Sequence, residues 1–254
     1  MPHLNELHTK YGPRGLVIAA LTQSATDSFL KEHKIAYPVG IGGGSFAAYG
    51  VTGIPQVYLV GPDGRVVWEG HTSGLTEALI EQHLQQVVVF PEREQWPRVL
   101  EPAARAAQAG RLGEAWRKLE RLGELQGEEA EAQAALRSYI ERKAEAVRRA
   151  VEAAVAEGDY YAAQAELRAH ERAFQGHPFG EQIEERLRAF KRDPEIQKAI
   201  RAGALFEQAQ ALEAQGDLRR ALGYYAQAAK VGEGTKAGAR ARERAEALAA
   251  KLGR

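Results

Sequence analysis

Apolar positions along this chain change their spacing near residue 90. Before that point short apolar runs interleave with stretches of helical period; after it the helical period dominates to the end. Leu4, Leu7, His8 and Tyr11 fall on one helical face, and Gly12-Pro13 ends that helix. Leu16 to Leu21 is a continuous apolar run, the pattern of a strand covered on both faces. Ser24, with Asp27 three residues on, predicts a cap for a helix through Phe29, Leu30 and His33. Tyr37-Pro38-Val39 predicts a short strand, and its proline places it at a sheet edge. Ser45 to Tyr49 predicts a short helix. Val57-Tyr58-Leu59-Val60 and Arg65-Val66-Val67-Trp68 flank Gly61-Pro62-Asp63-Gly64, which predicts a hairpin. Leu75, Leu79, Ile80, His83, Leu84 and Val87 then line one face of a closing helix. Strands alternating with helices predict an α/β sheet, and the hairpin makes it mixed.

The stretch from Phe90 to Pro97 carries two prolines and a charge cluster, so a boundary is placed there, between residues 1–90 and 91–254. Beyond it, Ala, Glu, Arg and Leu dominate and β signals are few. Helices are expected over Glu128–Ala156 and Phe179–Phe190, and Asp193-Pro194 starts another, with Asp as cap and Pro at the first position. Glu114/Lys118, Glu145/Arg149 and Glu184/Arg188 fit pairs on exposed faces. A weak internal repeat runs through the region. Gly110-Arg111-Leu112, Gly158-Asp159-Tyr160 and Gly216-Asp217-Leu218 are each followed by an alanine, at Ala115, Ala163 and Ala221. With Leu205, Ala209 and Leu212 before it and Tyr225 and Ala228 after it, the third copy resembles one tetratricopeptide repeat. The other copies keep only the Gly and Ala, and their spacings exceed the usual repeat length. Helix arrays present concave surfaces to peptides or proteins. The region reads equally as a docking platform or as a stabilising appendage.

Composition narrows the function classes. The 254 residues are 44% hydrophobic and 27% charged, a globular balance, and no apolar run reaches the length of a membrane span. Lys plus Arg equals Asp plus Glu at 34 each, which argues against a nucleic-acid partner. The basic segment Thr235–Arg254 reads as a solvated helix face. With no cysteine, the chain has no disulfide, thiolate nucleophile or thiolate metal site of its own. His3/His8 and His170/His177 lack the i, i+4 spacing of a helical metal pair, so no metal or cofactor is expected. Gly40-Ile41-Gly42-Gly43-Gly44-Ser45 lacks the Lys-Ser/Thr of a phosphate loop and reads as a turn rather than an anion cradle. Tyr58 and Trp68 read as core or sheet-face residues. No catalytic residue is assigned.

Met1 to Gly12, Gly15-Leu16-Val17-Ile18 and Tyr49-Gly50-Val51-Thr52-Gly53-Ile54-Pro55, followed by Gln56 to Gly64, closely resemble the redoxin branch of the thioredoxin superfamily. Within that branch the resemblance is to thiol–disulfide oxidoreductases of the TlpA/ResA type, and it covers residues 1–88. It implies a thioredoxin-like domain with an incomplete mixed sheet; the helical pattern beyond it predicts an all-α repeat-like region. In that family a Trp-Cys-x-x-Cys motif ends a strand and opens a helix, with a proline five residues after the second Cys. Pro2 matches that proline, so the thiol pair is expected just upstream of Met1. The resemblance also implies that Pro55 is cis, and that Gly53, Ile54 and Pro55 receive the substrate strand. Local sequence alone favours a trans bond. The strand expected before the thiols would lie between Leu16–Leu21 and Val57–Val60. Three arrangements follow: the gene starts upstream, the flanking strands close up, or a partner chain donates a strand. The resemblance suggests an extracytoplasmic setting. Two functions stand: a thiol–disulfide oxidoreductase whose cysteine pair is absent from this chain, or a non-catalytic scaffold that holds a protein or peptide. The oligomeric state is open.

Overall fold

The computed structural model describes residues 2–22, 24, 27–42, 46, 49–51, 53–62, 66–85, 87–93 and 95–253. The helix expected at Ser45–Tyr49, the glycines at the end of the Gly40–Ser45 run and the Asp63-Gly64 turn lie wholly or partly outside them, as do the side chains of Pro2, Asp27 and Phe29. Two compact units emerge, Met1–Val89 and Phe90–Arg254.

In the first unit α1 (Pro2–Tyr11) leads through a 3-10 turn at Gly12–Arg14 to β1 (Ala20–Thr22), α2 (Asp27–Glu32) and β2 (Val39–Ile41). The hairpin strands β3 (Val57–Val60) and β4 (Val66–Gly70) follow, then a second 3-10 turn and α3 (Glu77–Leu84). Thr76 caps α3 by accepting the Leu79 N–H at 3.3 Å. β1 and β2 pair in parallel, with Leu21 opposite Gly40; β3 and β4 pair antiparallel, with Leu59 opposite Trp68. Among the described residues these are two separate two-stranded sheets. The core of this unit gathers Leu7 and Tyr11 of α1, Leu59 of β3, Leu75, and Ile80 and Leu84 of α3, with Leu16, Ile18 and Val57 packed around.

The expectation of a strand over Leu16–Leu21 covered on both faces is corrected here. Only Ala20–Thr22 bonds as strand, and burial alternates along the run. Leu16 and Ile18 turn to the core, while Val17 is 83% and Leu21 49% exposed. A ladder needs a bonded neighbour and a covered face needs an opposing layer. Among the described residues this run has β2 beside it and the core beneath it. The second predicted strand is shifted forward, from Tyr37–Val39 to Val39–Ile41, because Pro38 has no N–H to donate and offers only its carbonyl, which takes the Ala20 N–H at 2.9 Å.

The second unit is helical: α4 (Glu101–Gln108), α5 (Leu112–Leu122), α6 (Gly127–Ala156), α7 (Tyr160–Glu171), α8 (Pro178–Arg192), α9 (Pro194–Ala214), α10 (Leu218–Val231) and α11 (Lys236–Lys251). Asp193 caps α9 through Oδ1 to the Glu195 and Ile196 N–H groups. None of the helices is long and apolar enough to cross a membrane, among the described residues.

The turns α4–α5, α6–α7 and α9–α10 share one backbone. Gly110, Gly158 and Gly216 have φ of +74°, +72° and +81°. The residues after them, Arg111, Asp159 and Asp217, have ψ of 68°, 69° and 66°. Each glycine N–H donates to the carbonyl three residues back, at 2.9–3.0 Å, and the next N–H to the carbonyl five residues back, at 2.8–2.9 Å. This pattern satisfies the orphan carbonyls of a helix end and requires a left-handed residue, which glycine adopts without strain. Ala115, Ala163 and Ala221 are fully buried where the paired helices meet.

Two ion-pair expectations change. Glu145 pairs with Arg148 at i, i+3 rather than with Arg149. The basic C-terminal helix is only partly a solvated face. Lys236 donates to the Ala156 carbonyl at 3.1 Å, Arg240 pairs with Asp159 at 3.3 Å, and Arg244 forks onto Glu213 at 2.6 and 3.1 Å. Tyr225 of α10 donates to the same Glu213 at 2.8 Å, so one carboxylate ties α9 to both later helices. Burial and the Glu213 bond push the Tyr225 phenol up to about 12. Burial works to raise the Glu213 carboxyl, but Arg244 and Tyr225 outweigh it and hold it below the usual range.

A folded carboxyl below its unfolded value contributes stability that is complete above the unfolded pKa and lost as pH falls through the folded one. Glu213→Gln is expected to cost about 1–2 kcal/mol in urea unfolding at neutral pH and to flatten that part of the acid limb. Gly113→Ala would drive a methyl into the Gln175 carbonyl, and Gly223→Ala meets nothing within 4 Å. The first is expected to lose ~2 kcal/mol or more and the second to gain ~0.5–1 kcal/mol, read by the same unfolding curves.

Candidate functional site

The candidate site is the loop that feeds β3. Gly50 turns the chain at φ +65°, and the Val51 N–H donates to the Phe46 carbonyl at 2.8 Å. Tyr58, on the face of β3 away from Leu59, donates its hydroxyl to the Tyr49 carbonyl at 2.7 Å. The two rings lie 5.3 Å apart at 47°. The start of the loop is thus clamped to the strand it precedes. The Ile54–Pro55 peptide is cis. Gly53, Ile54, Pro55 and Gln56 are all exposed, Ile54 by 81%. Thr52 lies outside the described residues.

Gly53, Ile54 and Pro55 therefore stand together at the surface, consecutive in the chain. Among the described residues, Gly53, Ile54 and Gln56 make no hydrogen bond. Exposed backbone groups that make no hydrogen bond among the described residues, beside an exposed β-branched side chain, form the kind of edge that an extended peptide can bond. No acid, base or nucleophile stands in this stretch, and the chain has no cysteine.

Tyr49 and Tyr58 are the residues that sequence reasoning misses. Read from composition, Tyr58 is a sheet-face residue; its role as a clamp comes from the hydroxyl, which points back at Tyr49. The signal available is an aromatic on each side of a Gly-rich loop, too common to single out alone.

A second cluster joins α1 to α3. Lys10 pairs with Glu77 at 2.6 Å, and the Tyr11 hydroxyl donates to Glu77 and Glu81 at 3.1 and 3.2 Å. The hydrogen bond from Lys10, then that from Tyr11, holds the Glu77 carboxyl below its usual range. This cluster lies at the solvent end of the buried Tyr11 ring and fixes α1 against α3. Of the histidines, His3 bonds the Leu75 carbonyl at 3.2 Å, and His170 that of Glu166 at 3.0 Å. Among the described residues no three His, Asp or Glu side chains gather as metal ligands.

The chain is similar to the thiol–disulfide oxidoreductase ResA of Bacillus thuringiensis subsp. konkukian and of Bacillus cereus, each 36% identical over 93 residues. ResA of Bacillus anthracis is 33% identical over the same length. Each match takes in 34% of this chain and 53% of the relative, so the chain spans about half the length of the curated relatives it matches. No family model matches, and no solved structure gives a significant match. The relatives support the thioredoxin/redoxin family for the matched third of the chain.

Tyr58→Phe removes the clamp without changing the ring. It is expected to cost ~0.5–1.5 kcal/mol and to raise amide exchange at Gly50 and Val51, measured by hydrogen–deuterium exchange.

Proposed function

We propose that residues 1–90 are the substrate-facing part of a thioredoxin-like domain of a thiol–disulfide oxidoreductase. In this reading Gly53 and Ile54 bond an extended protein or peptide substrate through their backbone, and Pro55 fixes their direction. The observation that carries it is the exposed, unbonded Gly53-Ile54-Pro55 edge on a chain similar to ResA. The reactive pair is supplied from outside these 254 residues. The chemistry requires it: a thiolate attacks one sulfur of the substrate disulfide, a mixed disulfide forms, and a second thiol displaces the reduced substrate. The two electrons come from the dithiol, which ends as a disulfide. The separate β1–β2 and β3–β4 sheets support the same reading, since a strand bearing the pair would complete both ladders.

In this proposal residues 91–254 form a tetratricopeptide-like array. The three superimposable glycine turns and their buried alanines support the repeat, and such an array offers a docking surface to a protein or peptide. A second reading, a non-catalytic scaffold, is favoured by the lack of any cysteine.

The two readings part in one experiment. The chain as it stands is expected to reduce no insulin disulfide. A fusion that adds the thiol-bearing segment of a ResA relative ahead of Pro2 is expected to reduce insulin. Within that fusion, Ile54→Asp is expected to lower kcat/KM about tenfold, since a charge now meets the substrate edge. A folded fusion without activity favours the scaffold; activity indifferent to Ile54→Asp removes the loop from the site.

A further inference from the structure

His177 closes the corner between α7 and α8, and it is 3% exposed. It is the N-cap of α8: its Nδ1 accepts the Phe179 N–H at 3.1 Å. That role requires a neutral imidazole with its proton on Nε2. Nε2 is buried and has no hydrogen-bond partner. The nearest carboxylate oxygen, Glu141 Oε1 of α6, is 3.6 Å away on a half-exposed side chain. Trp116 of α5 meets the ring edge-on at 4.6 Å, and Phe174 at 5.6 Å. The corner itself is tied to α5 by the Gly113 N–H, which donates to the Ala173 carbonyl at 2.8 Å.

The charged neighbours come from every packed element. α6 contributes Glu141 and Arg148, the latter stacked on Phe179 at 5.0 Å. α5 contributes Glu120, and Arg117 against Gly176. His170 of α7 lies across Phe174. Burial disfavours the imidazolium, Glu141 and Glu120 favour it, and Arg148 opposes it; burial prevails, so the ring holds a second proton less readily than a free histidine.

We propose that His177 is an acid-released latch on the α7–α8 corner: a proton on Nδ1 abolishes the cap on α8, and the ring turns toward Glu141. In this latch the side chain exchanges between two arrangements. In one the neutral ring caps Phe179 and leaves Nε2 unpaired. In the other the cation pairs with Glu141 and leaves the Phe179 N–H unpaired. Protonation exchanges them, and the segment from Ala173 to Gly180, which packs on α5 through Gly113, loosens. With a folded value below the unfolded one, the latch is fully closed above the ordinary histidine range. Its contribution is lost as pH falls from there to the folded value.

Amide exchange at Phe179 and Gly180 in the full chain tests this, after correction for intrinsic rates. Opening is expected to rise about fivefold or more between pH 8 and pH 5. His177→Asn keeps a cap acceptor that cannot titrate and is expected to remove that rise, and Glu141→Gln to move its midpoint to lower pH. An unchanged rise in His177→Asn overturns the proposal. Should that variant not fold, the imidazole of the unaltered chain is titrated by NMR: coincidence with the exchange midpoint supports the latch, and a separate midpoint overturns it.

Discussion

The first unit depends on the burial of Leu7 and Tyr11 against Leu59, Ile80 and Leu84. Sheets are ordinarily held together by their ladders, but among the described residues no ladder joins β1–β2 to β3–β4. What holds the β3–β4 hairpin, α1, α3 and the Leu16–Ile18 segment together is apolar contact, at roughly 1.5–3 kcal/mol for each large side chain fully buried. Directional bonds then fix the frame: Tyr11 to Glu77 and Glu81, Lys10 to Glu77, and Thr76 to the start of α3. The loop at Gly53–Pro55 inherits its position from this frame, because β3 carries both Leu59 in the core and Tyr58 in the clamp.

The second unit works by a different constraint. Its helices are short of large apolar residues and rich in alanine, so they gain contact by approaching closely. Gly113, Gly180 and Gly238 each lie against the backbone of a neighbouring segment where a methyl would not fit. Left-handed glycines at Gly110, Gly158 and Gly216 reverse the chain at the same angle, which lets Ala115, Ala163 and Ala221 reach zero exposure. Close packing leaves little room for error at polar points: Trp116 Nε1 and His177 Nε2 are buried without a hydrogen-bond partner, while His177 Nδ1 and the Gln133 amide bond helix ends. Gln133 donates to the Leu119 and Gly123 carbonyls, closing α5.

Much of this is legible in the sequence where the cause is local. Asp193-Pro194 sets a helix start because the carboxylate and the missing N–H act within four residues. The glycine turns follow from one residue type with one conformational freedom. The hairpin strands follow from two β-rich runs and a turn. Legibility ends where the cause is distant. Leu16 to Leu21 reads as a strand covered on both faces, yet coverage depends on layers that the run itself does not encode. Thr235–Arg254 reads as a free basic face, yet Asp159 and Glu213 claim two of its arginines from far along the chain. In the site, Gly53-Ile54-Pro55 stands out as a motif, while the Tyr58–Tyr49 bond that steadies it depends on a side-chain direction no period reveals.

Division of labour between the units follows from what each lacks. The first exposes Gly53, Ile54 and Pro55, and with no cysteine it has no thiol of its own. The second offers no exposed large apolar patch among its described residues; Val99 at 37% is its one large hydrophobic so exposed. A surface of that kind binds through polar and charged groups, whose contribution is geometric and salt-sensitive rather than hydrophobic. With 34 positive and 34 negative residues, the whole chain gains little from long-range attraction and relies on where individual charges are held. Helix caps and carboxylate ties such as Asp159, Asp217 and Glu213 hold them, so the same bonds that set the fold also set the pattern of charge on its surface.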